Sequence, residues 1–68
     1  MEFKLQGPFI DLDNLIKNAG WAPHGAAAKE LIRQGAVQVN GQPESRVRRK
    51  LRPGDTVTFQ GRVLLLVA

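Results

Sequence analysis

Several residue types that carry chemistry are missing or nearly missing from this sequence. Its 68 residues include no cysteine, no tyrosine and one histidine, His24. Without cysteine the chain cannot use disulfides, thiolate zinc sites or a thiol nucleophile, and the cytoplasm, a reducing compartment, is its expected location. A single histidine with no thiol predicts no metal site and leaves few ways to place a base beside a nucleophile. We therefore expect neither an enzyme nor a cofactor.

Long apolar segments are missing as well. The longest apolar run, residues 63–68, has six residues, whereas a membrane-spanning helix needs about 20. Near the N-terminus, Glu2 and Lys4 interrupt any hydrophobic segment of the kind found in signal peptides. We expect no membrane association. The length predicts a single domain over residues 1–68, with little room for a deep pocket.

Positive charge is the property in excess. Ten Lys and Arg residues oppose six Asp and Glu residues, which gives a net charge of +4. Such an excess fits a nucleic-acid partner, an acidic membrane surface or simple solubility. Its distribution is informative, because five cations and no acid fall within residues 46–52, a segment we call the basic run.

Two segments carry apolar residues at helical spacing. The spacing predicts one helix over residues 11–19 and a second over residues 25–34, each followed by a glycine that can end it. Lys29 and Arg33 lie four residues apart on the polar face of the second helix, so they are neighbours on its surface.

Short strands are predicted for much of the remaining chain. The last, over residues 62–68, is apolar on both faces, which predicts burial from two sides and a central position. Asn40-Gly41 predicts a two-residue hairpin turn, and residues 52–55 have the Pro and Gly placement of a type II turn. The other predicted strands cover residues 2–6, at a sheet edge, 36–39 and 56–60. These elements predict an α+β domain with two helices packed on a small, mainly antiparallel twisted sheet.

The basic run admits two interpretations. A charged strand edge that prevents aggregation is common, but one or two lysines would be enough for it. Arginines add planar forks that bind phosphate oxygens and stack on bases, which favours nucleic-acid contact. Lys29 and Arg33 by themselves fit a solvated helix face, and they gain a functional meaning only if they share a surface with the basic run. The cations of the basic run are Arg46, Arg48, Arg49, Lys50 and Arg52.

The single tryptophan and the single histidine lie just before the second helix. Trp21 could stack on a base, but a lone tryptophan in a small domain more often packs at a helix end, and packing is the role we expect. His24 stands where a side chain can cap the helix or contact phosphate.

Two separated segments carry a family resemblance. They are residues 28–41, AKELIRQGAVQVNG, and residues 51–57, LRPGDTV. The pattern, which extends over residues 11–59, resembles the RNA-binding domain family first seen in small-subunit ribosomal protein S-four, and in particular its small stand-alone bacterial members. The resemblance implies the alpha-L motif, in which a helix pair joins a small twisted sheet, and binding of structured RNA such as ribosomal or transfer RNA.

The resemblance also implies which residues contact RNA. Family members use the second helix and the loop and strand after the hairpin. Many of them have a Ser-Arg pair where this chain has His24-Gly25, so that arginine contact is absent here. The candidate RNA-binding residues are Lys29, Arg33, Arg46, Arg48, Arg49, Lys50, Arg52 and His24.

Two other functions remain open from the residues. The basic face could dock an acidic protein, or the chain could be the targeting domain of an RNA-modifying enzyme, which Met1 and the last predicted strand disfavour. The expected partners are RNA and the ribosome, and the expected state is a monomer.

Overall fold

The two helices lie close to their predicted positions. A computed structural model describes residues 1–68. Helix α1 is Leu12–Asn18 and helix α2 is Gly25–Arg33. The helices pack on each other, because each presents its apolar positions on one face. The apolar side chains that they bury completely are Leu12, Leu15, Ile16, Ala28 and Ile32.

Seven short strands form two sheets. They are β1 (Glu2–Lys4), β2 (Ile10–Asp11), β3 (Val37–Val39), β4 (Gln42–Pro43), β5 (Lys50–Leu51), β6 (Thr56–Phe59) and β7 (Arg62–Val67). The larger sheet has the order β1-β7-β6-β3-β4, in which only the β1 and β7 pair is parallel. Strands β2 and β5 form a separate antiparallel pair, which the sequence did not predict. The predicted α+β class with two helices on a mainly antiparallel sheet is confirmed.

One hydrophobic core lies between the helices and one face of the larger sheet. Alternate residues of β3, β6 and β7 are buried in it, as the period-two pattern predicts. Trp21 is buried, and the centroid of its ring is 5.7 Å from that of Phe59, so its predicted packing role is confirmed. The strand residues of this core are Val37, Val39, Val57, Phe59, Leu64 and Leu66.

The two-sided burial predicted for the last strand is wrong. Strand β7 does lie inside the sheet, between β1 and β6. However, only Leu64 and Leu66 are buried, whereas Val63 and Leu65 are 51% and 37% exposed. The strand is central because it hydrogen bonds to two neighbours, while its second face is open to solvent.

Left-handed backbone conformations occur at three turns, two of which the sequence predicted. Asn40 and Gly41 have φ values of 52° and 82° and connect β3 to β4, which is the expected two-residue hairpin turn. Gln60 and Gly61, at 51° and 77°, connect β6 to β7 in the same way. The predicted type II turn over residues 52–55 is present, with a φ of 98° at its third residue.

Candidate nucleic-acid interface

The first part of the basic run is a loop held against the start of α1. The N–H groups of Leu12 and Asp13 donate to the carbonyl oxygens of Arg49 and Val47, at 2.9 and 3.0 Å. N–H groups in the first turn of a helix have no acceptor within the helix, and the side chain of Asp11 does not cap them. The loop therefore caps the helix, and the helix in turn fixes the backbone of the loop.

Two apolar side chains of the basic run point into the core and hold the segment in place. Val47 is half-buried against the core, and Leu51 is completely buried. Arg46, Arg48 and Lys50 alternate with these anchors and are exposed. The alternation places the cations on the solvent side of a segment whose backbone is held on the other side.

A buried carboxylate orients two of the arginines. Glu44 is only 7% exposed, and its Oε1 accepts hydrogen bonds from Arg46 Nη2 at 2.9 Å and from Arg49 Nη1 at 2.7 Å. Its Oε2 accepts from Arg46 Nε at 3.1 Å and from the Arg46 backbone N–H at 3.0 Å. The hydrogen bonds from the Arg46 side chain and then from Arg49 hold the pKa of the Glu44 carboxyl far below its usual value. The same pairing raises the pKa of the Arg46 guanidinium.

Four cationic side chains line one shallow depression, which we call the cationic depression. Arg46, Arg48, Arg49 and Lys50 are its only lining residues. The side chains of Arg46 and Arg48 are each 72% exposed and that of Arg49 is 29% exposed. Arg48 Nη2 also lies 3.3 Å from Asp11 Oδ2, an exposed ion pair of the kind that contributes about 0–1 kcal/mol. With Glu44 and Asp11 as the paired carboxylates, the depression keeps an excess of positive charge.

The other predicted site residues lie outside this depression. Lys29 and Arg33 are on α2, the first half-buried and the second exposed, and Arg52 follows β5 at a turn. His24 caps α2, because its Nδ1 accepts a hydrogen bond from the Ala27 N–H at 3.2 Å. Its contact with phosphate stays a prediction, and so does a surface that Lys29 and Arg33 share with the basic run.

Two residues of this region were not among the candidate site residues predicted from the sequence. Glu44 falls between predicted elements, where a glutamate is normally solvated, and only the cationic residues after it hint at its role. Phe9 lies in the connection between β1 and β2 and is 43% exposed. The Nζ of Lys50 lies 5.1 Å from the centroid of the Phe9 ring, a cation–π contact at the rim of the cationic depression.

The arrangement is suited to binding anions. Neither helix combines the length and the apolar character that crossing a membrane requires. No group of three or more His, Cys, Asp or Glu side chains is placed to hold a metal ion. What the surface offers is a fixed set of guanidinium and ammonium donors on a backbone that the core and α1 hold in place.

Sequence comparisons relate the chain to RNA-binding and ribosomal proteins. The family model of the S4 domain matches residues 3–67. The putative RNA-binding protein YbcJ of Escherichia coli (strain K12) is 43% identical over 61 residues, which cover 90% of this chain and 87% of YbcJ. The small ribosomal subunit protein uS4m of Schizosaccharomyces pombe is 47% identical over 67 residues, covering 85% of this chain and 20% of that protein. The uS4 protein of Dictyoglomus turgidum is 34% identical, and the match covers 82% of this chain and 27% of that protein.

A solved structure has the same fold. It is the solution structure of YbcJ from E. coli, described as revealing an alpha-L motif involved in RNA-binding. The two structures superimpose with a TM-score of 0.74 at 41% sequence identity, and the match covers 98% of this chain and 86% of that one. Both the sequence and the architecture assign the chain to one family: it belongs to the S4 domain family and has the alpha-L motif.

Proposed function

We propose that this chain binds structured RNA without carrying out a reaction, and that phosphates of the RNA occupy the cationic depression. The observation that carries this proposal is a depression lined only by Arg46, Arg48, Arg49 and Lys50. Guanidinium groups bind phosphate oxygens through two parallel hydrogen bonds, and Glu44 already orients two of them. The RNA-binding described for the motif of YbcJ supports the same function.

The RNA class follows from the shape of the surface and from the relatives. A shallow cationic surface offers few groups that distinguish bases, so recognition rests on phosphates and on the wide minor groove of A-form RNA. Ribosomal RNA or transfer RNA is the proposed target, with binding on the ribosome by a cytoplasmic monomer. The identity with ribosomal uS4 proteins supports this assignment.

The proposed surface extends beyond the depression. Lys29 and Arg33 would bind phosphates from α2, and Arg52 and His24 would contribute at its margins. The support for this extension is the family pattern together with the exposure of Arg33, Arg52 and His24.

Salt dependence tests the proposal. About four to six phosphate contacts would release a similar number of counterions. Affinity should therefore fall as the salt concentration rises, and a plot of log Kd against the logarithm of the salt concentration should have a slope of about 3–5. The measurement is fluorescence anisotropy of a structured RNA, at several salt concentrations, with the wild type and a variant in which Arg48 and Arg49 are Gln. The variant should bind more weakly and with a shallower slope.

A charge-matched control separates a specific surface from general basicity. Lys4 and Arg62 are exposed cations of β1 and β7 that do not line the depression. Changing both to Gln removes the same charge as the Arg48 and Arg49 variant and should change affinity much less. Equal losses in the two variants would mean that binding is nonspecific. No RNA binding at low salt, together with an acidic protein partner that RNA cannot displace, would show that the surface is a protein-docking site.

A further inference from the structure

An open groove adjoins the cationic depression. Its volume is about 550 Å³, and it lies between residues 3–10 and the solvent face of α1. Asn14, Lys17 and Asn18 form its helical wall, because residues three and four apart share one face of a helix. The other lining residues belong to the N-terminal segment and include Phe3 and Phe9. The lining contains amides, a lysine and apolar side chains, and it contains no carboxylate.

Phe9 is the more exposed of the two aromatic rings that line the groove, Phe3 and Phe9. The chain has three phenylalanines, of which Phe59 is buried and Phe3 is half-buried, whereas Phe9 is exposed. A connection that needed only an apolar anchor would bury the ring in the core. The exposed ring instead forms a wall of a groove that is open to solvent.

The groove and the cationic depression meet at two residues. Phe9 lines the groove and Lys50 lines the depression, and the Lys50 ammonium lies over the Phe9 ring. In the antiparallel β2 and β5 ladder next to this contact, Ile10 is opposite Leu51 and Asp11 is opposite Lys50. A ligand bound by phosphate in the depression would therefore have an aromatic face within reach of its next group.

We propose that this groove binds an unpaired nucleobase of the RNA whose phosphates occupy the cationic depression. The face of the Phe9 ring that Lys50 does not cover is its stacking surface, and the side-chain amides of Asn14 and Asn18 offer the edge of the base both hydrogen-bond donors and acceptors. This assignment rests on the proposed RNA-binding function and adds a substrate class: structured RNA with a bulged or flipped-out nucleotide beside a paired stem. The absence of carboxylates in the groove removes the repulsion that an RNA backbone would otherwise meet.

A pair of RNA duplexes tests the assignment. One carries a single bulged 2-aminopurine nucleotide, and the other is the same duplex without the bulge. Stacking on an aromatic side chain favours binding of a base enough that wild-type protein should bind the bulged duplex about 5- to 30-fold more tightly. The fluorescence of 2-aminopurine should fall on binding, because stacking quenches it.

Variants at Phe9 test whether its aromatic ring causes the preference for the bulged duplex. Phe9→Leu keeps an apolar side chain without the aromatic face and should reduce the preference to less than about twofold, while Phe9→Tyr should keep both the preference and the quenching. Val63→Thr, at an exposed apolar position of β7, is the matched control and should behave as wild type. Equal thermal stability of the variants shows that the fold is intact.

The outcomes separate the two proposals. If wild type binds both duplexes equally, or if Phe9→Leu keeps the preference and the quenching, the nucleobase site is wrong and the RNA-binding function stands. If wild type binds neither duplex at low salt, the RNA-binding function fails and the nucleobase site fails with it.

Discussion

At the scale of single residues, Glu44 holds two of the arginines of the cationic depression. A buried carboxylate is unfavourable unless hydrogen bonds replace the water it loses, and Glu44 receives four of them from Arg46 and Arg49. The two arginines are therefore held in position before a ligand arrives. Less side-chain freedom remains to be lost on binding, which favours affinity even though Glu44 cancels part of the positive charge.

Replacing Glu44 with Gln should destabilise the fold. The amide keeps the size of the side chain but presents an NH₂ group to guanidinium donors and loses the charge that strengthens the hydrogen bonds. The expected loss in the free energy of unfolding is about 1.5–3 kcal/mol, the range for hydrogen bonds to a charged group. Urea unfolding at neutral pH, followed by circular dichroism, measures it. Glu2→Gln, at an exposed position of β1, is the control and should change little.

The wild type and the Glu44→Gln variant also give a pH prediction. The pKa of Glu44 is lowered from an ordinary value of 4.5 in the folded state, so below that pH the unfolded chain binds a proton that the folded chain does not. The stability that the charged group contributes is complete above pH 4.5 and is lost as the pH falls toward the folded pKa. Thermal unfolding at several pH values should show the wild type losing its advantage over Glu44→Gln as the pH falls from about 4.5 to 2. A constant difference across this range would contradict the assignment.

At the scale of elements, the hairpin between β3 and β4 is tied to the turn before β6. The side chain of Asn40 donates from Nδ2 to Asp55 Oδ1 at 3.0 Å, and its Oδ1 accepts from the Thr56 N–H at 2.9 Å. The hydrogen bonds from Asn40 and then from the Arg52 backbone N–H lower the pKa of Asp55. One asparagine thus serves both as a turn residue with positive φ and as a bridge between two turns.

Replacing Gly41 with Val should destabilise the fold without touching the cationic depression. Gly41 has a φ of 82°, and a β-branched residue resists that conformation at a cost of about 1 kcal/mol or more. Gly25→Ala is the matched control, because Gly25 has no positive φ and open space where the methyl group would lie. The control should be unchanged or more stable by up to about 1 kcal/mol. Thermal unfolding compares the two, and an unchanged Gly41→Val variant would show that the turn tolerates other conformations.

Elements with local signals could be predicted from the sequence, whereas the pairing between strands that are far apart in the chain could not. Asn40-Gly41 fixes its turn through backbone preferences of the two residues themselves, and the helices follow from apolar spacing. Strands β2 and β5 have two residues each, too few for any periodicity, and their pairing joins residues that are far apart in the chain, such as Ile10 and Leu51. The parallel pairing of β1 with β7 likewise depends on the whole chain.

At the scale of the whole molecule, two basic segments far apart in sequence are predicted to act as one surface. The sequence predicted that the basic run would be functional, and the structure groups four of its cations in one depression. The sequence could not predict the buried position of Glu44 or the contact between Phe9 and Lys50. Both depend on how the loop folds onto α1 and β2, which no local pattern specifies.

Replacing Lys29 and Arg33 with Gln tests the shared surface. Glutamine is a good helix former and the change removes a like-charge pair, so stability should be equal or slightly higher. RNA affinity should fall, and the magnitude of the salt slope should shrink by about one unit for each lost phosphate contact. Anisotropy titrations measure both quantities beside the Arg48 and Arg49 variant described above. If only that variant loses affinity and slope, the contact is confined to the basic run and α2 is not part of the site.

The place of β7 in the sheet has a consequence for the order in which the molecule is assembled. This strand lies between β1 and β6, and the Leu65 N–H donates to the carbonyl oxygen of Met1 at 2.9 Å. Synthesis proceeds from the N-terminus, so β1 is made before its partner β7. A nascent chain that stops short of residue 62 contains the whole basic run but lacks the strand that closes the sheet. Such a chain would carry the positive charge of the basic run without the folded sheet. On the proposed function, selective binding of RNA would begin only after β7 has joined its neighbours.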